Sequence, residues 1–202
     1  MNVLITAFGP FQEFSENPSE MVIKAMMADE TIQNIPDLLI DWETITVSYS
    51  AVDQCQSRWN NQHYSLIIHM GVASQDSMMR LEVKAQNCKA GKDVEGVEPH
   101  SVPIVPDSED AETRINMAVL QQLCERYPGK VRISEDAGTY LCNYIYYQSL
   151  SRVKPDTHVL FVHIADFIQN RDAVSAEEQT TMLTDLLTVL KNFHTHNEKF
   201  SA

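Results

Sequence analysis

One cysteine stands where a reactive thiol is expected. Within residues 135–144, Asp136 and Gly138 indicate a tight turn, because glycine adopts backbone conformations that other residues avoid. Thr139 would cap the helix that follows, and Cys142 would lie in its first turn. Unpaired N–H groups and the dipole at a helix start favour an anion and lower the pKa of a thiol. The position would suit a nucleophile, but these residues alone leave a buried and unreactive cysteine as the default interpretation.

A nucleophilic thiol needs a base that takes its proton, and the base often needs an acceptor that orients it. His163 is the best candidate base, since it lies near the carboxyl end of the strand that follows the cysteine helix. A carboxylate beside it would fix the imidazole tautomer and stabilise the protonated ring. Glu82 is one candidate among 28 acidic residues, and spacing alone does not select it.

The other polar residues of the apolar runs have ordinary structural interpretations. The alternation over residues 78–86 places Arg80, Glu82 and Lys84 on one face of a strand, for which a solvated charged face is the default interpretation. His69 lies within a buried run, and we expect a core or edge histidine whose ring nitrogens are hydrogen-bonded.

The elements that must position these residues alternate between strand and helix. Apolar or alternating runs predict strands at residues 3–8, 38–47, 65–72, 78–86, 131–134 and 158–164. Helices are predicted from Pro18 (with Met21, Val22, Ala25 and Met26 on the buried face), over 51–59, over 111–127, after Cys142 and over 174–193, with a polar tail that frays. Residues 89–110 read as a long surface excursion, a length that is often functional.

This order predicts an α/β fold, a three-layer α/β/α sandwich around a mostly parallel, possibly mixed, central sheet. Residues 1–202 are expected to form a single catalytic domain. Residues 182–190 place Met182, Leu183, Leu186, Leu187 and Leu190 on one stripe of the last helix.

Composition excludes several classes of function. The net charge of −13 opposes binding to nucleic acid and to anionic membranes. The four cysteines form no Cys-x-x-Cys pair, so a zinc knuckle or a thioredoxin motif is not expected. The first residues lack basic side chains and read as a strand rather than a signal peptide, and no run reaches membrane-spanning length. We therefore expect a cytoplasmic protein with reduced thiols.

Several segments, in order along the chain, resemble the pyroglutamyl peptidases, a family of cysteine peptidases also called pyrrolidone-carboxylate peptidases. The segments are TAFGPF (6–11) followed by NPS (17–19), HMGV (69–72), RLE (80–82) with Asn87, DAGTYLCN (136–143) and FVHI (161–164). The match to the cysteine segment is nearly residue for residue.

The resemblance implies Cys142 as the nucleophile, His163 as base and acid, and Glu82 as the group that orients His163. It also implies substrate-binding residues, with aromatic walls around a five-membered lactam, backbone partners for that lactam, and a side chain that braces the loop. They are Phe8, Phe11, Asn17, Gly71, Val72, Tyr140 and Leu141. The implied substrates are peptides with an N-terminal pyroglutamate, no metal or cofactor is required, and a homo-oligomer is expected.

The chain departs from the family pattern at three places. Gln12-Glu13 stands where glycine usually follows Pro-Phe, Val83 stands where many members have arginine, and residues 165–167 replace a proline-rich stretch. The first two are expected to alter the loop over the pocket, and the third to alter oligomer contacts or the fit of the leaving group. Two alternatives remain open, a non-catalytic member that binds pyroglutamyl termini or a partner, and a thiol redox sensor that uses Cys142 and Cys88.

Overall fold

The computed structural model describes residues 1–11, 16–59, 62–74 and 76–200, with side chains as far as residue 194. Within these ranges the strands are β1 (Asn2–Phe8), β2 (Leu39–Ile45), β3 (Leu66–Ala73), β4 (Met79–Glu82), β5 (Lys84–Ala85), β6 (Ala111–Glu112), β7 (Val131–Ser134) and β8 (His158–Ala165). The helices are α1 (Pro18–Ala28), α2 (Glu30–Gln33), α3 (Tyr49–Trp59), α4 (Met117–Arg126), α5 (Leu141–Arg152) and α6 (Ala176–Phe200).

The central sheet has six strands in the order β2-β1-β3-β8-β4-β7. The neighbours among β2, β1, β3 and β8 pair in parallel, whereas β4 runs antiparallel to β8 and carries β7 parallel to itself. The predicted mixed, mostly parallel sheet is therefore confirmed. The parallel strands end together at one edge, and this is the edge at which sites of such sheets collect.

Alternating side chains of the sheet divide between two apolar cores, as expected for three layers. On one side Val3 and Ile5 of β1 pack with residues of α1, α4 and α6. On the other side Leu4 and Phe8 pack with residues of α3 and α5. The predicted stripe of α6 is buried in the first of these cores. Among the described residues, none of the helices combines the length and apolar character needed to cross a bilayer.

Three helix predictions need correction. The helix predicted from residue 111 begins at Met117, because Ala111 and Glu112 pair with β5 and Asn116 caps the helix through the N–H of Ala118. The buried face of α1 includes Ile23, while Ala25 is exposed, so the predicted register was wrong by part of a turn. The last helix does not end at residue 193 but continues to Phe200.

Residues 89–110 form a loop, as predicted, and hydrogen bonds from the side-chain amide of Asn87 hold part of it in place. Asn87 Oδ1 accepts hydrogen bonds from the N–H groups of Ile104 and Val105, and its Nδ2 donates to the carbonyls of Val105 and Ser108. One asparagine thus supplies the partners that backbone groups of a long loop would otherwise lack.

His69 is confirmed as a core histidine. It is fully buried in β3, with Nδ1 at 2.8 Å from Thr6 Oγ1 and Nε2 at 2.7 Å from Ser149 Oγ. Gln56 Nε2 donates to the same serine at 2.6 Å, so this polar chain joins β1 and β3 to α3 and α5. Burial lowers the pKa of His69 to about 3.

Acid should therefore destabilise the fold through His69. Its pKa is lower in the folded than in the unfolded chain, so its contribution to stability is present above pH 6.5 and is lost as pH falls towards 3. Between pH 7 and pH 5 this loss amounts to about 2 kcal/mol. Urea unfolding of His69→Gln at both pH values should show a loss smaller by about that amount, whereas His63→Gln, at an exposed histidine, should behave as wild type. An equal acid-induced loss in His69→Gln and wild type would contradict this account.

Candidate active site

The start of α5 lies over the carboxyl ends of the parallel strands. Gly138 takes a left-handed conformation with φ of +77°, and its N–H donates to Asp136 Oδ1 at 2.9 Å, which confirms the predicted turn. The helix begins at Leu141 with Tyr140 as the N-cap, and that side chain makes no capping hydrogen bond. The prediction of a Thr139 cap was therefore wrong by one residue. Cys142 lies in the first turn of α5, as predicted.

The sulfur of Cys142 lies directly against the backbone of a glycine. A Cβ atom added to Gly71 would lie 2.7 Å from Cys142 Sγ and 3.0 Å from the ring of Phe161, so a larger residue there would displace the sulfur. Gly71 is the register partner of His163 in the parallel pair of β3 and β8. The thiol therefore lies against the residue of β3 that is paired with the predicted base on β8.

His163 and Glu82 form a buried pair. His163 Nδ1 and Glu82 Oε1 are 2.7 Å apart, with the two residues 4% and 0% exposed. The default interpretation of a solvated charged face was wrong, because β4 lies inside the sheet between β8 and β7 and that face is covered. The carboxylate fixes the imidazole tautomer, leaving Nε2 to exchange a proton with another group.

Burial keeps the thiol and the imidazole neutral. It raises the pKa of Cys142 to about 12, with the negative charge of Glu82 acting in the same direction and the positive charge of Arg80 opposing it. Burial also lowers the pKa of His163 below its usual value, although the hydrogen bond that His163 donates to Glu82 opposes that shift. The expectation that the helix start lowers the thiol pKa was wrong for the free protein, because desolvation outweighs the effect of the helix.

A cavity of about 260 Å³ opens at the thiol. Its lining is largely apolar and contains every substrate-binding residue predicted from the sequence, together with Val47, which the sequence analysis missed. The lining residues are Phe8, Phe11, Asn17, Val47, Gly71, Val72, Tyr140, Leu141 and Cys142. This volume includes space that is open to solvent.

Backbone groups are also available in this cavity. The ladder between β1 and β3 ends at Ala7 and Met70, whereas the ladder between β3 and β8 continues to Ala73. The edge of Gly71 and Val72 that faces β1 is therefore outside any ladder. Such backbone N–H and C=O groups can pair with an amide in the cavity.

A model of the pyroglutamyl peptidase family matches residues 1–183. The chain belongs to that family. It is 30% identical over 169 residues to the pyrrolidone-carboxylate peptidase of Bacillus subtilis, covering 80% of this chain and 77% of the relative. It is 27% identical to pyroglutamyl-peptidase 1 of Rattus norvegicus, covering 80% and 78%.

Solved structures of the family share the fold. The pyrrolidone carboxyl peptidase of Thermococcus litoralis aligns with a TM-score of 0.83 at 22% identity, over 97% of this chain and 96% of the other. The enzyme of Fervidobacterium islandicum aligns with a TM-score of 0.83 at 23% identity, over 95% and 99%. At this level of identity the likeness establishes the architecture alone.

Side chains around the cavity hold its loops in this family member. Asn17 is buried and donates from Nδ2 to the carbonyl of Gly9 at 2.9 Å, so it braces the loop after β1. The hydroxyl of Tyr140 donates to the carbonyl of Lys92 at 2.8 Å, while its ring packs on Gly91. These contacts attach the long excursion to the edge of the cavity.

Asn143, next to the cysteine, is a positioning residue that the sequence analysis did not single out. Its Oδ1 accepts from the N–H of Gln86 at 2.8 Å, and its Nδ2 donates to the carbonyls of Gln86 and Cys88, each at 2.8 Å. Because Asn143 is fully buried, these bonds fix the segment after β5 to the start of α5.

The departures from the family pattern fall in different places. Gln12-Glu13 lies outside the described residues. Val83 packs in the core on the face of the sheet opposite Glu82, and its predicted effect on the loop over the pocket stays a prediction. In residues 165–167, Ala165 and Asp166 are fully buried, and the backbone of Ala165 pairs with the side chain of Gln179. The predicted effect of residues 165–167 on oligomer contacts or leaving-group fit stays a prediction.

The neutral thiol predicts a distinctive alkylation profile. Between pH 5 and pH 8 the rate at which iodoacetamide modifies Cys142 should rise with pH, since the thiol pKa is raised to about 12. At pH 7 the rate should be at least about tenfold below that of an unperturbed thiol. Mass spectrometry of the peptide that carries Cys142 separates this thiol from the others. A rate that is independent of pH over this range would indicate a preformed thiolate–imidazolium pair instead.

Proposed function

We propose that this chain is a cysteine omega peptidase that removes an N-terminal pyroglutamyl residue from peptides. The observation that carries the proposal is that Cys142 Sγ lies against Gly71 in a small apolar cavity. Gly71 is the register partner of His163, whose imidazole is paired with the buried Glu82. Membership of the pyroglutamyl peptidase family supports the assignment.

The cavity suits a pyroglutamyl ring. This lactam carries no free amine and no charge, so aromatic walls from Phe8 and Phe11 match it. Its N–H and C=O would each cost about 1–3 kcal/mol if they were buried without partners. We assign the backbone groups of Gly71 and Val72, beyond the end of the ladder between β1 and β3, as the partners of the lactam N–H and C=O.

The reaction begins with a neutral thiol. As Cys142 Sγ attacks the pyroglutamyl carbonyl, its proton passes to His163, and the N–H groups at the start of α5 bind the developing oxyanion. His163 then gives this proton to the leaving amine, the C–N bond breaks, and a thioester to Cys142 remains. Water, deprotonated by His163, attacks the thioester, the C–S bond breaks, pyroglutamate is released, and the proton on His163 returns to the Cys142 sulfur. Glu82 orients His163 throughout, and none of these steps requires a metal or cofactor.

The surrounding protein fits this role. We propose one catalytic domain over residues 1–202, of which the family match covers residues 1–183. The four cysteines are free, which supports a reducing, cytoplasmic location. The net charge of −13 favours peptides over nucleic acid or anionic membranes as partners. Association into a homo-oligomer remains part of the proposal.

Replacing the nucleophile tests the assignment directly. Cys142→Ala should reduce release of a chromophore from a pyroglutamyl amide to background, a loss of at least about 1,000-fold, because no thioester can form. Cys124→Ala, at a partly buried cysteine of α4, should keep wild-type turnover and serves as the matched control. Wild-type turnover by Cys142→Ala would end the proposal. Binding of a pyroglutamyl peptide by wild-type protein without acylation would favour the non-catalytic alternative.

The close approach at Gly71 gives a second test. Gly71→Ala should lower kcat/KM by about 100-fold, because the added methyl group displaces the attacking sulfur. Gly9→Ala places its Cβ at an ordinary distance of 3.5 Å from Thr44 and should keep wild-type turnover. Thermal melting would verify that both variants fold. A Gly71→Ala enzyme as active as Gly9→Ala would show that the sulfur position does not depend on this glycine.

A further inference from the structure

A half-buried arginine lies beside the Glu82–His163 pair. Arg80 Nε is 3.2 Å from Glu82 Oε1, the same oxygen that is 2.7 Å from His163 Nδ1. The Arg80 side chain is 20% exposed, and Glu82 is fully buried. One carboxylate oxygen thus contacts both a guanidinium and an imidazole.

The strand geometry produces this arrangement. Arg80 and Glu82 are two residues apart on β4, so their side chains share a face of the sheet. Arg80 is also the antiparallel register partner of His163, which places the guanidinium directly across from the imidazole. Val83 points to the other face and packs in the core there, so it cannot serve this pair.

A second carboxylate and a second arginine extend the contact to the surface. Asp76 Oδ2 lies 3.6 Å from Arg80 Nε and 3.1 Å from Arg132 NH2, and the Arg132 side chain is 46% exposed. Arg132 therefore contacts the outer carboxylate, while Arg80 is the arginine that reaches Glu82. The two arginines provide a matched pair for mutation.

A buried carboxylate must be compensated by nearby positive charge or by hydrogen bonds. Without Arg80, protonation of His163 would be the main way to compensate the negative charge of Glu82. A protonated imidazole cannot accept the proton of Cys142. The positive charge of Arg80 opposes that protonation, and it lowers the pKa values of both His163 and Cys142.

We propose that Arg80 is a positioning residue of this active site, which holds the Glu82 carboxylate aligned with His163 and so keeps the imidazole neutral as the base in mildly acidic solution. The catalytic consequence rests on the proposed peptidase function, but the effect on the imidazole does not. The charged and titratable groups around His163 are Glu82 and Arg80 on β4, Asp76 before β4 and Cys142 on α5.

The test follows the titration of His163 by NMR in protein with ¹³C-labelled histidine, assigned with His163→Gln. In Arg80→Gln the imidazole should titrate at a pH about one unit higher than in wild type, because the nearby positive charge is lost. Arg80→Lys should restore most of the wild-type value. Arg132→Gln should leave the titration near that of wild type, since Arg132 contacts only the outer carboxylate of the group.

The acid limb of kcat/KM for a pyroglutamyl amide should move to higher pH in step with the NMR titration of Arg80→Gln. An unchanged imidazole titration in folded Arg80→Gln, or a shift in Arg132→Gln as large as that in Arg80→Gln, would overturn the proposal. If Arg80→Gln does not fold, the neutral variant Arg80→Met takes its place, with the same expected shift and the same criterion. If the wild-type protein shows no peptidase activity but the variants show the expected NMR shifts, the proposed function is refuted and the role of Arg80 stands.

Discussion

A carboxylate that is fully buried needs partners that stabilise its charge, and Glu82 has His163 and Arg80 as its partners. The hydrogen bond between Glu82 and His163 is possible because the register pairs Arg80 of β4 with His163 of β8, so that Glu82, two residues further along β4, lies on the same face as the imidazole. The parallel strands bring the thiol and the imidazole to one edge of the sheet, and the antiparallel strand supplies the carboxylate that orients the imidazole.

The second constraint is steric. Cys142 is carried by the first turn of α5, and the helix can approach the sheet this closely because Gly71 has no side chain. The same glycine lies at the point where the ladder between β1 and β3 has ended, so its backbone faces the cavity. A single position thus sets where the sulfur lies and leaves backbone groups for a substrate amide.

Electrostatics in this site favour neutral partners over a preformed ion pair. Desolvation raises the pKa of the Cys142 thiol and lowers that of the His163 imidazole, so in the proposed reaction the proton moves only as the substrate is attacked. The low dielectric that penalises the thiolate would also strengthen the proposed oxyanion contacts at the helix start. A thiol that stays protonated in the free protein is, by the same argument, less exposed to oxidation, which weighs against a redox-sensing role for Cys142.

The sequence by itself determined the strand–turn–helix that carries Cys142, the core strands with His69 and His163, and, through its resemblance to a family, the residues that line the cavity. These features depend on local patterns of apolar residues, glycine and proline, which a sequence displays directly. Only the tertiary structure decided that the face carrying Arg80 and Glu82 is covered, that Ala111 joins a strand rather than a helix, and that the Cys142 pKa rises. Alternation shows that a strand has two faces, but the packing of the layers decides which face is buried, and burial sets the charge state of every group there.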